Sequence, residues 1–147
     1  QTIFLDWTSS FPKNYTGSVE WPDGAKFWYK EGKYHRLDGP AIEWADGEKF
    51  WYREGKCHRL DGPAIEHLNG TKYWYKDGDR YREDGPACEY ADGEKRWWLE
   101  GKIYGRLSLN DYVVLDHYQG NYNLMWYKLL NEYKIFEYPD IQGLIEK

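Results

Sequence analysis

The sequence predicts a mainly β chain: an elongated antiparallel β-meander of stacked 23-residue hairpin repeats with a short C-terminal helix. Three observations carry this expectation. The middle of the chain superposes on itself without a gap as the units 21–43, 44–66 and 67–89 and a decaying fourth, 90–111. Each unit is punctuated by two glycines, Gly24, Gly47, Gly70 and Gly93 in one phase and Gly32, Gly55, Gly78 and Gly101 in the other. Nine Trp, fifteen Tyr and five Phe stand where aliphatic core formers are sparse. A fixed period of this length marks stacked supersecondary units that bury their faces only against neighbours. Broad amphipathic rings suit a thin sheet, in which each residue is only partly covered.

Residues 1–20 read as an N-terminal cap, in which NYTGSVE (14–20) is a degenerate half-copy of RLDGPAIE, aligning Gly17 with Pro40 and Glu20 with Glu43. Residues 21–111 are the four repeats. Asp23-Gly24, Asp46-Gly47, Asn69-Gly70 and Asp92-Gly93, and halfway round each unit Glu31-Gly32 and its equivalents, read as two-residue hairpin turns whose central residues take positive φ. Such a turn at Glu31-Gly32 sets Lys30 opposite Lys33, Tyr29 opposite Tyr34 and Trp28 opposite His35. The equivalents are Trp51 with His58, Trp74 with Tyr81 and Trp97 with Tyr104. A Trp column then runs along one face, and Phe27, Tyr29, Phe50, Tyr52, Tyr73 and Tyr75 line the other. The tetrapeptide DGPA breaks the longer strand: proline removes a ladder donor and glycine permits positive φ, so a bend or bulge is expected there. Residues 112–147 form the C-terminal cap. DYVVLDHY reads as a strand, and 121–134 carries Leu124, Tyr127 and Leu130 at helical spacing.

The net charge is −5, with both signs interleaved through the repeats, which argues against nucleic acid as a partner. No apolar run is long enough for a helical span and no basic leader precedes an apolar core, so no membrane insertion and a cytoplasmic location are expected. Cys57 and Cys88 occupy different phases of the repeat and read as free thiols in a reducing compartment.

His35-Arg36-Leu37-Asp38 and His58-Arg59-Leu60-Asp61 are the most site-like strings, since His with Asp can form an acid/base couple and Arg can hold an anion. They recur once per unit, however, and the third copy, Tyr81-Arg82-Glu83-Asp84, loses the His without losing the pattern. An active site is singular, so these read as structural: Asp38, Asp61 and Asp84 cap the bend through their own backbone amides, and Arg36, Arg59 and Arg82 pair with Glu43, Glu66 and Glu89. His35, His58, His67 and His117 share no metal-ligand spacing, and no phosphate loop or nucleophile elbow occurs. The expectation is therefore a protein without catalytic residues, metal or cofactor. The Trp column stays open to two readings, a protein interface or a platform that stacks nucleotide or carbohydrate. The candidate partner-binding residues are Trp28, Trp51, Trp74, Trp97, Arg36, Arg59, Arg82, His35 and His58.

The order of aromatic, Gly, His, Gly and a second Gly turn over Phe27 to Gly47 and Phe50 to Gly70, weaker over Tyr73 to Gly93, resembles MORN repeats, whose unit is likewise 23 residues. HRLDGPA resembles a divergent MORN-like variety met in bacterial, phage and giant-virus proteins. The usual motif has glycines where Arg36 and Asp38 stand here. That departure and the acidic balance argue against the phospholipid binding attributed to some MORN arrays. The resemblance implies stacked hairpins and a scaffold or partner-binding role. In a bacterial or phage setting this is the role of an inhibitor, anti-defence factor or antitoxin, acting in the host cytoplasm if the source is viral.

Overall fold

Alternation along extended backbone sorts each unit into two faces. In the strand Lys26–Lys30, Lys26 and Trp28 project to one side and Phe27 and Tyr29 to the other. A computed structural model of the chain describes residues 1–6, 10–99, 101–107, 112–114 and 134–135. It is a mainly β structure, as expected. Among the described residues one 13-stranded sheet holds most of the strands, with two small ribbons beside it, Tyr52–Arg53 with Lys56–Cys57 and Tyr75–Lys76 with Asp79–Arg80. Lys26–Lys30, Ile42–Glu43, Lys49–Phe50, Ile65–Glu66, Lys72–Tyr73, Cys88–Glu89 and Lys95–Leu99 lie side by side in that order, all antiparallel.

The ends depart from a pure meander. Thr2–Phe4 runs parallel to Gly17–Glu20, and Tyr112–Val114 parallel to Lys134–Ile135, because both return through long connections and not through tight turns. The first of the latter pair lies inside the expected DYVVLDHY strand. Lys134 is in a strand and not at the end of a helix, and the rest of the expected helix, 121–133, lies outside the described residues.

Register is written in two ladders. Across the sheet Glu20 faces Lys26, Lys26 faces Glu43, Glu43 faces Lys49, Lys49 faces Glu66, Glu66 faces Lys72, Lys72 faces Glu89 and Glu89 faces Lys95. One step along, Phe27, Ile42, Phe50, Ile65, Tyr73 and Cys88 face one another in the same succession. A slip of one residue would put charge on the apolar face, so the alternation locks the pairing. Each opposite-charge pair adds some tenths of a kcal/mol, up to about 1.

The apolar face is the core. Ala25, Phe27 and Ile42 are buried, with Trp21, Tyr29, Tyr34, Phe50 and Tyr52 packed against them. Edge-on ring contacts run along it through Trp21, Phe27, Trp44, Phe50, His67, Tyr73 and Tyr90, with centroids 5.2–6.2 Å apart. These are favourable quadrupole geometries. The Phe/Tyr side carries this continuous ring cluster, and Trp28, Trp51 and Trp74 lie on the other side, where Ala41, Ala64, Ala87 and Trp97 are also buried.

The two turn classes differ. Glu31-Gly32, Glu54-Gly55 and Asp77-Gly78 take positive φ at both residues, giving the two-residue hairpin and the expected pairs Tyr29 with Tyr34 and Lys30 with Lys33. At the other end of the strands only the glycine of each Asp-Gly or Asn-Gly is positive. There Gly24 N–H donates to the Trp21 carbonyl and Trp21 N–H to the Ala25 carbonyl, both at 2.9 Å, so the loop has three residues with a glycine bulge. The preceding Asp or Asn explains the preference, since Asp23 Oδ1 accepts from Ala25 N–H, and Asp46, Asn69 and Asp92 repeat the contact.

Between Arg36 and Ala41 the chain leaves the sheet and returns. Arg59 N–H donates to the Tyr75 carbonyl and Ala64 N–H to the Tyr73 carbonyl, so 60–63 bulge out between two anchors only two residues apart on the facing chain. The N-terminal cap makes the same bonds without the excursion. Gly32 N–H donates to the Tyr15 carbonyl as Gly55 N–H does to Tyr34, and Glu31 N–H donates to Thr16 Oγ1 as Glu54 N–H does to His35 Nδ1. Gly17 then faces Tyr29 and Val19 faces Phe27, the place that Ile42 holds opposite Phe50. The cap is thus a unit lacking 37–40. The fourth unit also lacks the excursion: Lys102–Leu107 runs straight back along Lys95–Leu99. A bulge between Trp97 and Trp98 sets Trp97 opposite Gly105, and not opposite Tyr104 as expected. Among the described residues only the three interior units carry the loop.

Candidate functional site

Each loop is held to the sheet by one arginine. Arg36 stacks on the Trp28 ring with its Cζ 4.0 Å from the centroid, Arg59 on Trp51 at 4.0 Å and Arg82 on Trp74 at 3.9 Å. Nε of each donates to the aspartate two residues on, Asp38, Asp61 and Asp84, at 2.9–3.0 Å. Nη1 donates to the carbonyl of Pro40, Pro63 and Pro86 at 3.0–3.2 Å. The expected pairing with glutamate is found for Arg36 with Glu43 and Arg82 with Glu89. A planar guanidinium that stacks while donating in its own plane is what this place requires; a lysine could not do both.

Two expectations about the loop are corrected. The glycine of DGP is not there for a left-handed backbone, since none of Gly39, Gly62 and Gly85 has positive φ. A Cβ at these positions would lie 2.8–2.9 Å from the arginine Cζ, so glycine leaves the room in which the guanidinium packs. Nor is the aspartate chiefly a backbone cap. The arginine hydrogen bond is the main cause that holds the carboxyls of Asp38 and Asp61 below their ordinary range, with each residue's own amide adding less.

The histidines serve the next unit. Nδ1 of His35 accepts from Glu54 N–H at 3.1 Å, and Nδ1 of His58 accepts from Asp77 N–H at 3.0 Å, capping the following hairpin turn. Thr16 does this in the N-terminal cap. In the third unit Tyr81 instead turns its hydroxyl to Glu83 of its own loop. The sequence signal is a spacing of 19 residues from His to the first turn residue.

The candidate residues therefore separate. Trp28, Trp51 and Trp74 come together with Arg36, Arg59 and Arg82 on one face, each ring carrying its guanidinium. His35 and His58 are half-buried turn caps. Trp97 is 3% exposed and packed inside. What the loops present outward is different: Leu37 and Leu60 are 75% and 73% exposed at equivalent positions. Sequence reasoning passed over them, although an apolar residue recurring inside an otherwise polar loop was a visible signal. Between successive loops lie two clefts. One is lined by Leu37, Leu60, Trp51 and Arg53, the next by Leu60, Trp74, Lys76 and Glu83.

Chemistry elsewhere is sparse. No group of His, Cys, Asp and Glu among the described residues could hold a metal. Burial pushes the Cys57 thiol up to about 12 and raises Cys88 as well, so both are protonated and unreactive at neutral pH. Burial also raises Tyr29 and Tyr52 in the ring cluster. No described helix is long and apolar enough to cross a membrane. No family model, curated protein or solved structure matches the chain.

Proposed function

We propose that the chain is a non-enzymatic, MORN-like repeat module that binds another protein through the face carrying the three loops. One observation carries the reading. The stack closes without the excursion at both ends, in the cap 14–20 and in the pair Lys95–Leu99 with Lys102–Leu107, so the loops of the interior units are surplus to folding. A segment that the architecture does not need, repeated three times on one face and tipped with exposed leucine in two of its three copies, is a display element. Trp and Arg are also among the residues enriched at interface centres.

The rival reading, a nucleotide or carbohydrate stacked on the Trp column, is weakened by the guanidinium already seated on each of Trp28, Trp51 and Trp74. An inhibitor, anti-defence or antitoxin role in a bacterial or phage setting is the biological context in which such a module fits.

The test is partner capture from a bacterial lysate with the intact chain, compared with two variants. Leu37→Asp with Leu60→Asp alters the loop face; Leu68→Asp alters an exposed leucine in a turn at the far end of the strands. Partners retained by the wild type and Leu68→Asp but lost by the loop variant support the reading. Partners retained equally by all three overturn it.

A further inference from the structure

The two edges of the sheet are finished differently. Among the described residues Lys134–Ile135 forms one edge and Thr2–Phe4 the other, and no strand lies beyond either. The first contains a lysine, one of the devices by which an edge avoids pairing with another chain. The second contains none, since Gln1 to Leu5 include no charged side chain and no proline.

The charge ladder shows the same contrast. Glu43 stands between Lys26 and Lys49, Glu66 between Lys49 and Lys72, and Glu89 between Lys72 and Lys95. Glu20 has Lys26 on one side, but on the other it has Phe4, which is 74% exposed. Where the ladder elsewhere places lysine, the rim of the sheet carries an aromatic ring. The row on the opposite face reaches the same edge, through Ile42, Phe27 and Val19 to Ile3.

The edge backbone is already ordered. Leu5 N–H donates to the Glu20 carbonyl at 2.9 Å, and the Gln1 carbonyl accepts from Ser18 N–H at 3.0 Å and from the Tyr15 hydroxyl at 3.1 Å. In a parallel pair alternate residues bond to the neighbour, so Gln1, Ile3 and Leu5 turn inward while the N–H and C=O of Thr2 and Phe4 point out from the sheet. A pre-formed strand with open ladder groups is a template for strand addition.

We propose that this edge pairs with the same edge of a second copy of the chain, antiparallel about a two-fold axis at Ile3, so that two sheets join into one. The register follows from which groups face outward. Thr2 lies opposite the partner's Phe4 and Phe4 opposite the partner's Thr2, each pair exchanging both backbone hydrogen bonds, and Ile3 meets the partner's Ile3 at the closer, non-bonded spacing. An axis perpendicular to the sheet keeps like faces together. The apolar row then continues from Val19 and Ile3 into the partner's Ile3, and each Phe4 ring gains the partner's Thr2 beside it. Self-complementarity selects a second copy: the strand matches itself across the axis in both hydrogen bonding and polarity, and offers no charge with which to choose a different strand. Pairing occupies the unprotected edge of each copy and leaves the lysine-bearing edges outermost, so assembly stops at two. The loop face takes no part, and this proposal stands or falls apart from the partner-binding reading.

Sedimentation equilibrium of the intact chain from about 1 to 500 µM tests it, with amide hydrogen exchange at Phe4 and Leu5 followed at both ends of that range. The expected result is a reversible monomer–dimer equilibrium in which exchange at Phe4 slows at least about tenfold at the higher concentration, while Leu5, bonded within its own chain, is unchanged. Phe4→Lys completes the ladder beside Glu20 and should weaken dimerisation at least about tenfold. Phe4→Leu should weaken it less, and Leu37→Asp with Leu60→Asp should leave it unaltered. A monomer across the whole range, assembly beyond a dimer, a dimer indifferent to Phe4→Lys or lost in the loop variant, or exchange at Phe4 that is equally fast at both concentrations overturns the proposal. Unchanged thermal melting of Phe4→Lys separates lost pairing from lost fold; should that variant melt earlier, the exchange at Phe4 in the wild type decides alone.

Discussion

Excising 60–63 from the second unit, so that Arg59 is joined directly to Ala64, should leave a folded protein that has lost its function. The cap already shows the product: Thr16, Gly17, Ser18 and Val19 run without a break where His58, Arg59, Ala64 and Ile65 would then follow one another. The interactions removed are Arg59 Nε to Asp61 Oδ1 and Arg59 Nη1 to the Pro63 carbonyl. Asp61 is solvent-exposed and its ion pair is screened, so it contributes little. The charged hydrogen bond to the carbonyl is worth about 1.5–3 kcal/mol. Against this, four fewer residues need ordering, at roughly 1 kcal/mol each near the low end of backbone estimates. The terms partly offset, and a net change of no more than about 2.5 kcal/mol is expected. For a domain of this size that moves Tm by less than about 10 °C. Differential scanning fluorimetry and size-exclusion chromatography of the excised variant give the answer, with partner capture measured alongside. Aggregation, or a fall in Tm beyond about 15 °C, would show that the loop is part of the fold and that the equivalence with the cap is mistaken.

Three further outcomes follow from the same geometry. Alanine at Gly101 or Gly55 should cost about 1–2 kcal/mol from the left-handed backbone alone. Gly32→Ala should cost more than about 3 kcal/mol, since its Cβ would sit 1.9 Å from the Lys13 carbonyl oxygen; equal melting temperatures for the three would refute this. His58→Ala removes the acceptor for Asp77 N–H and should cost about 1 kcal/mol, with His58→Tyr no better; unchanged hydrogen exchange at the Asp77 amide would contradict the capping role. Carbon-detected NMR titration should place the Asp38 and Asp61 carboxyls below 3.8, because Arg36 and Arg59 favour the charged form. Their contribution is then present above that value and lost as pH falls through the lower folded-state value. Arg59→Gln should return Asp61 toward 3.8, and a midpoint unmoved by that change would show that the arginine is not the cause.

Period, turn positions and hairpin register were legible in the sequence because they depend on local chemistry. Glu31-Gly32 can adopt the paired positive φ of a two-residue turn, and that choice alone sets Tyr29 against Tyr34. The alternation of Glu20, Lys26, Glu43 and Lys49 with Val19, Phe27, Ile42 and Phe50 likewise specifies how strands from different units align. What the sequence could not say is which groups share a hydrogen bond once the units stack. His35 resembles half of an acid/base couple beside Asp38, yet its Nδ1 belongs to the turn of the next unit. Gly39 looks like a backbone hinge and is in fact a space for the guanidinium of Arg36. The face to be covered was undecided because both sides are aromatic. Contacts between units give each face its own partners: rings from successive repeats meet on the Phe27 side, as Phe27 meets Trp44, while Trp28 packs against an arginine. A repeat specifies its own turns and register through neighbours a few residues away, whereas burial, capping and display depend on what the adjacent unit brings within reach, and only the assembled stack decides them.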